Sequence, residues 1–96
     1  MQNDTTPTTG ITNLTASENP FDRETMISFT MGEYAYVSFQ VFDVLGRVVL
    51  GDYKGSVEPP GEYSFTVDGT NLASGTYYAR VTTLLGQTRM IKLVKE

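Results

Sequence analysis

The stretch YVSFQVFDVLGRVVL, residues 36–50, holds a strand, a tight turn and the start of a second strand. Val37, Phe39 and Val41 alternate with polar residues, and this period of two places the three side chains on one face of a half-buried strand. The DVLG segment that follows ends at Gly46, whose missing Cβ suits the positive φ of a hairpin turn. We therefore predict an antiparallel hairpin in this part of the chain.

The same period of two recurs on both sides of this hairpin, and turn residues separate the apolar segments. Pro59-Pro60-Gly61 cannot continue a central strand, because proline has no backbone N–H to donate. No window has a sustained helical period. The pattern predicts an all-β, immunoglobulin-like sandwich of about seven antiparallel strands in two sheets. The predicted strands are 11–16, 25–31, 36–43, 47–53, 62–68, 76–84 and 87–95.

The apolar side chains that face inward in these strands are expected to share one core. Its predicted members are Ile27, Phe29, Val37, Phe39, Val41, Phe65, Val67, Tyr77 and Val81. A chain of 96 residues fits one domain. Residues 1–9, MQNDTTPTT, are polar and rich in threonine, so we predict a flexible linker there and the folded domain over 10–96.

The composition argues against several classes of function. The chain has no cysteine and no histidine, which excludes disulfides, thiolate metal sites and a histidine general base. The net charge of −4 disfavours nucleic acid and anionic lipid as partners. No apolar run approaches the roughly 20 residues of a membrane span, so no membrane insertion is expected. We expect a protein that is not an enzyme and needs no cofactor or metal.

Two polar features have to be weighed as sites. The loop Asp68-Gly69-Thr70-Asn71 offers oxygen ligands for calcium, but a single carboxylate favours a turn in which side chains cap the backbone. The six tyrosines could form a platform for sugar rings, although most occupy strand positions where core packing is expected. Tyr77 follows Gly75 at the start of a strand, and this arrangement is typical of a tyrosine corner, whose hydroxyl bonds back to the upstream backbone.

Four of the seven basic residues fall in the last two predicted strands: Arg80, Arg89, Lys92 and Lys95. Lysine and arginine on a sheet edge prevent unwanted strand pairing between molecules. The same charges could also form a strip that docks another protein. The sequence alone leaves both interpretations open.

Several phrases occur in an order that resembles a known family. They are Asn19-Pro20-Phe21, Thr25–Phe29, Val41–Arg47 with its Asp-Val-Leu-Gly-Arg, Asp68, Leu72–Tyr78 with its Leu-Ala-Ser-Gly-Thr-Tyr, and Met90–Lys95. This combination resembles the C-terminal sorting domain (type A) of the type IX, or Por, secretion system of Bacteroidetes. The structural motif residues that carry the resemblance are Asp43, Gly46, Arg47, Leu72, Gly75 and Tyr77. The family's apolar-Tyr-Pro-Asn-Pro run is reduced here to Asn-Pro-Phe.

The resemblance implies a noncatalytic sorting domain that directs the export of a larger secreted protein. Such domains follow N-terminal cargo domains in the same parent chain and are recognised by the outer-membrane translocon. They are often removed by a cell-surface sortase that joins the cargo to lipopolysaccharide, which attaches it to the cell surface. The implied destination is the medium or the cell surface, reached through the periplasm and the outer membrane. We expect the last strand to dock the translocon, with Arg89, Lys92, Leu93 and Lys95 as the contacting residues.

Two alternatives remain from the sequence. One is a carbohydrate-binding module that uses exposed aromatic side chains. The other is a structural spacer in an extracellular or flagellar hook-capping protein, since the immunoglobulin-like part of hook-capping proteins has a similar sequence style.

Overall fold

The computed structural model describes residues 10–53, 57–83 and 87–96 of the chain. The predicted linker, residues 1–9, lies outside these ranges. The described residues form strands and no helix. The strands are β1 (Ile11–Ala16), β2 (Glu24–Met31), β3 (Val37–Asp43), β4 (Val48–Tyr53), β5 (Gly61–Asp68), β6 (Gly75–Thr83) and β7 (Thr88–Lys95). Each strand begins and ends within one residue of the bounds predicted from the sequence.

The strands form two sheets, and every neighbouring pair is antiparallel. One sheet has three strands in the order β1-β2-β5, and the other has four in the order β4-β3-β6-β7. The prediction of an all-β fold with seven antiparallel strands in two sheets is confirmed, and the arrangement is that of a β-sandwich. Strand β7 is therefore an edge strand, and β6 is the one strand that neighbours it in the sheet.

The core lies where the inner faces of the two sheets meet. All nine predicted core residues are buried in it, and the structure adds Ile11, Phe21, Met31, Ala35, Ala79 and Leu93. The ring of Phe39 from the four-stranded sheet stacks on the ring of Phe65 from the three-stranded sheet, with centroids 4.7 Å apart. Phe65 in turn stacks on Phe29 at 5.9 Å. This aromatic stack joins the two sheets at the centre of the sandwich.

The hairpin between β3 and β4 is organised by one carboxylate. Oδ1 of Asp43 accepts the backbone N–H groups of Leu45 at 2.9 Å and Arg47 at 3.0 Å. Oδ2 accepts Nε–H of Arg47 at 2.8 Å. Gly46 has a φ of 84°, in the left-handed region that a glycine adopts without steric cost. The motif residues Asp43, Gly46 and Arg47 thus form one turn, and each has a separate physical role in it.

This turn predicts a dependence of stability on pH. The pKa of Asp43 is lowered from 3.8, chiefly by the N–H of Arg47, and burial only partly opposes that shift. A carboxyl whose pKa is lower in the folded state stabilises the fold above its unfolded pKa, and this stabilisation is lost as the pH falls through the folded value. We expect Asp43→Asn to flatten the fall in unfolding free energy below pH 3.8. Denaturant titrations at pH 7 and at acidic pH measure this, and an unchanged acid slope would contradict the role of Asp43.

Two tyrosines hold the starts of β5 and β6 in the same way. The hydroxyl of Tyr77 donates to the carbonyl of Ala73 at 2.6 Å, which is the bond of a tyrosine corner. The hydroxyl of Tyr63 donates to the carbonyl of Pro59 at 2.5 Å, also four residues upstream. Each tyrosine lies two residues after a glycine with a φ of 149°, Gly75 and Gly61. The repeated spacing Gly-x-Tyr therefore marks two related strand entries.

Candidate functional site

The residues predicted to dock a partner lie on β7, but they do not share one face. Across the pair with β6, Leu93 lies opposite Tyr77 and Lys92 lies opposite Tyr78. Because successive residues of a strand point to opposite faces, Arg89, Leu93 and Lys95 belong to the inner side and Lys92 to the outer side. The strip expected from the sequence is thus divided between two sides of the edge.

Leu93 is part of the core. Its side chain has 0% exposure, and it packs among the residues that join the two sheets. A side chain that is fully removed from solvent offers no surface to a docking partner. The expectation that Leu93 contacts a translocon therefore needs correcting: its side chain stabilises the fold.

Lys95 is half-buried beside the loop that follows β5. A Cβ added at Gly69 would lie 3.0 Å from Cε of Lys95 and 2.7 Å from Cε2 of Phe21. Glycine at position 69 therefore allows the lysine stem and the phenylalanine ring to pack close to the backbone. The Nζ of Lys95 donates to the carbonyl of Glu96 at 2.8 Å. This places Lys95 in the packing at the far end of β7, away from Arg89.

The segment before β2 covers half of the β7 edge, a feature that the sequence analysis missed. The N–H of Val94 donates to Oδ1 of Asn19 at 3.0 Å, and Nδ2 of Asn19 donates to the carbonyl of Lys92 at 2.8 Å. Phe21 continues the cover, since its N–H donates to the carbonyl of Val94 at 2.9 Å and its carbonyl accepts the N–H of Glu96 at 2.8 Å. The peptide bond between Asn19 and Pro20 is cis.

Among the described residues, none forms a backbone hydrogen bond with the other half of the edge. The bonds to Asn19 and Phe21 show that the backbone groups of Lys92 and Val94 point away from β6, and the alternation of an antiparallel ladder gives Met90 the same orientation. Within the described ranges, the N–H groups of Met90 and Lys92 and the carbonyl of Met90 have no hydrogen-bond partner. We call the segment from Thr88 to Lys92 the open edge.

Two exposed cations flank the open edge. Arg89 is exposed, and its Nη1 donates to the carbonyl of Thr88 at 3.0 Å. Lys92 is exposed on the outer side. The structure thus brings Arg89 and Lys92 to the same short stretch of unpaired backbone, one on each side of it.

The remaining candidate sites have structural roles. Oδ1 of Asp68 accepts the N–H of Thr70 at 3.0 Å and its hydroxyl at 2.6 Å, which is the capped turn predicted for this loop. In the described part of the chain there is no group of three or more acidic side chains that could hold a metal ion.

Tyr77 is buried and Tyr63 half-buried, whereas Tyr78 lies on the outer side of β6, so these three tyrosines do not form one platform for sugar rings. No described helix is long and apolar enough to cross a membrane.

Comparison with known proteins gives one match that covers most of the chain. The family described as the secretion system C-terminal sorting domain matches residues 19–96. The match includes the covering segment from Asn19 to Phe21 and strands β2 to β7, whereas β1 lies before it. The comparison with curated proteins gave no match. The chain belongs to the secretion system C-terminal sorting domain family, and it carries a sorting signal for type IX secretion.

Proposed function

We propose that the type IX machinery binds the open edge of β7 and contacts the side chains of Arg89 and Lys92. Membership of the family implies an interaction with that machinery and a place in a larger cargo chain. It also implies export to the cell surface or the medium. The observation that carries the proposal is a set of three backbone groups with no partner among the described residues, namely the N–H groups of Met90 and Lys92 and the carbonyl of Met90, next to the half of the edge that Asn19 and Phe21 cover.

An open sheet edge has the chemistry that a partner strand needs. Unpaired N–H and C=O groups give affinity through backbone hydrogen bonds, while flanking side chains give selectivity. Sandwich proteins ordinarily protect such edges, because an unprotected edge pairs with other chains. Here Asn19 and Phe21 protect one half and leave a short segment, which limits pairing to a partner of matching length. Arg89 and Lys92 would speed the encounter with an acidic partner.

The proposal assigns the domain no catalytic role, as is usual for its family. Within it, the outer-membrane translocon binds the open edge from the periplasmic side, and a cell-surface sortase acts after the cargo has crossed the outer membrane. The domain supplies a rigid folded surface and the partners supply the chemistry. Lys95 and Leu93 contribute by holding β7 in place, and the predicted linker, residues 1–9, would separate the domain from its cargo.

The cations of the open edge give the first test. The 96-residue chain is fused behind a fluorescent cargo with an export signal, in a bacterium that has the type IX system. We expect Arg89→Gln and Lys92→Gln each to lower the exported fraction several-fold, because rim charges act mainly on encounter rates. Both side chains are exposed, so the melting temperature of the purified domain is expected to stay nearly unchanged.

Arg23→Gln is the matched control. Arg23 is also exposed, and the Gly69 N–H binds its backbone carbonyl, which the substitution leaves in place. The change removes the same charge from the segment beside the covered end of β7, outside the open edge. If all three variants export the cargo equally well, Arg89 and Lys92 are not part of the recognised surface.

A further inference from the structure

The outer face of the four-stranded sheet carries a second feature that the sorting role does not use. The side chains of Phe42, Tyr78, Arg80 and Met90, together with the turn after β3, line a concavity of about 420 Å³. These residues are neighbours in the register, since Phe42 pairs with Tyr78 and Arg80 pairs with Met90. We call this feature the Arg80 concavity.

Arg80 is held in place, and most of its N–H donors have no partner in the described part of the chain. Its guanidinium carbon lies 4.4 Å from the centroid of the Phe42 ring, a cation–π contact, and its Nη2 donates to Oε1 of Gln40 at 2.6 Å. The Nε of Arg80 is buried and has no partner among the described residues. Buried donors in folded proteins are nearly always satisfied, so each exception requires an explanation. A planar guanidinium fixed by stacking presents a fork that matches a carboxylate.

Exposed apolar side chains lie on the same outer face and in the turn that adjoins the concavity. Met90 is 58% exposed, and Val48, which pairs with Phe42, is 52% exposed. Val44 and Leu45, in the turn after β3, are exposed as well. Clustered apolar side chains on a small domain mark a contact surface more often than scattered ones do.

The charges on the two outer faces of the sandwich differ in sign. The outward positions of the three-stranded sheet include the exposed acids Glu24, Glu62 and Asp68. The outward positions of the four-stranded sheet include Arg80 and Lys92, and among the described residues neither has an ion-pair partner. The carboxylate of Asp43, which borders the concavity, is occupied by Arg47. The concavity thus carries positive charge in a chain with a net charge of −4.

We propose that the Arg80 concavity docks an extended segment of a partner protein that places one carboxylate between apolar side chains. The carboxylate accepts N–H groups of Arg80 in the fork geometry, and the flanking apolar side chains cover Phe42, Tyr78 and Met90. Met90 has an adaptable side chain, which allows it to move against different neighbours. The concavity uses the side chain of Met90 and the open edge uses its backbone, so the two surfaces adjoin and one partner could occupy both.

Other occupants fit the concavity less well. A second copy related by a two-fold axis would bring Arg80 and Lys92 against their own equivalents, and like charges across an interface are unfavourable. An anionic membrane would gain little from two cations on a domain with negative net charge, and the apolar lining is concave instead of protruding.

The test uses the 96-residue chain and two blocked synthetic octapeptides. One carries a single glutamate between leucine and valine residues, and the other has glutamine in place of the glutamate. NMR titration follows the Nε–H of Arg80 and the methyl group of Met90. We expect saturable shifts of both signals with the glutamate peptide and about tenfold weaker binding of the glutamine peptide, because hydrogen bonds to charged groups are the stronger ones.

Two variants locate the site. Arg80→Gln is expected to weaken binding of the glutamate peptide about tenfold, and Arg23→Gln is expected to leave it unchanged. Equal binding of the two peptides, or equal loss in the two variants, would overturn the proposal. The peptide comparison needs no variant, so it remains decisive if Arg80→Gln does not fold. Self-association of the free chain through this face, or binding to phosphatidylglycerol vesicles that shifts the same signals in place of the peptide, would also overturn it.

Discussion

Replacing Phe39 with alanine is expected to lower the free energy of unfolding by roughly 3–5 kcal/mol. Phe39 is 2% exposed and stacks on Phe65 at 4.7 Å, at the point where the two sheets meet. The substitution removes buried apolar surface and leaves a cavity that a rigid sandwich fills only in part. Small domains have roughly 5–15 kcal/mol of stability in total, so this variant is expected to be close to unfolding.

Denaturant unfolding of the purified chain measures this loss. Val48→Ala is the matched control, because Val48 lies on the neighbouring strand but points to the outer face and is 52% exposed. Its expected loss is well below that of Phe39→Ala. A loss of less than about 1 kcal/mol in Phe39→Ala would contradict the assignment of inner and outer faces in β3.

The second large effect concerns export and one backbone hydrogen. The N–H of Met90 points to the open edge, whereas that of Ile91 points to β6. Proline removes a donor and is tolerated on an edge strand only where the N–H faces solvent. We therefore expect Met90→Pro to leave the domain folded and to keep most of the fused cargo in the periplasm.

Met90→Ala isolates the backbone effect, because it shortens the side chain and keeps the N–H. The exported fraction of the alanine variant should clearly exceed that of the proline variant, with similar melting temperatures for both. Ile91→Pro, by contrast, is expected to unfold the domain, since it removes a bond to β6. Equal export by Met90→Pro and Met90→Ala would mean that no partner pairs with the open edge.

The strands and the core could be predicted because the alternation of apolar and polar residues along a strand indicates which side chains are buried. Val37, Phe39 and Val41 alternate with polar residues, and that pattern alone assigns an inner face. β7 was harder to interpret, because Met90, Ile91, Leu93 and Val94 put apolar side chains on both faces. The alternation pattern in β7 therefore does not show whether Leu93 is buried in the core or exposed to a partner.

The cover on the β7 edge could not be predicted from local pattern. Asn19 binds backbone groups that are more than 70 positions away in the sequence, and no periodicity records a contact between one side chain and a distant backbone. The second tyrosine anchor did leave a signal, since Gly61-Glu62-Tyr63 repeats the spacing of Gly75-Thr76-Tyr77. A comparison of the two strand entries would have found it.

The central claim is that this chain is a sorting signal for type IX secretion, and a gain-of-function measurement tests it most directly. A fluorescent protein with an export signal is fused to the 96-residue chain and expressed in a bacterium with the type IX system and in a mutant that lacks its outer-membrane translocon. The account predicts that the fusion reaches the cell surface or the medium only in the strain with the translocon, whereas the fluorescent protein alone stays in the periplasm of both. Retention of the folded fusion in the periplasm of both strains would contradict the account.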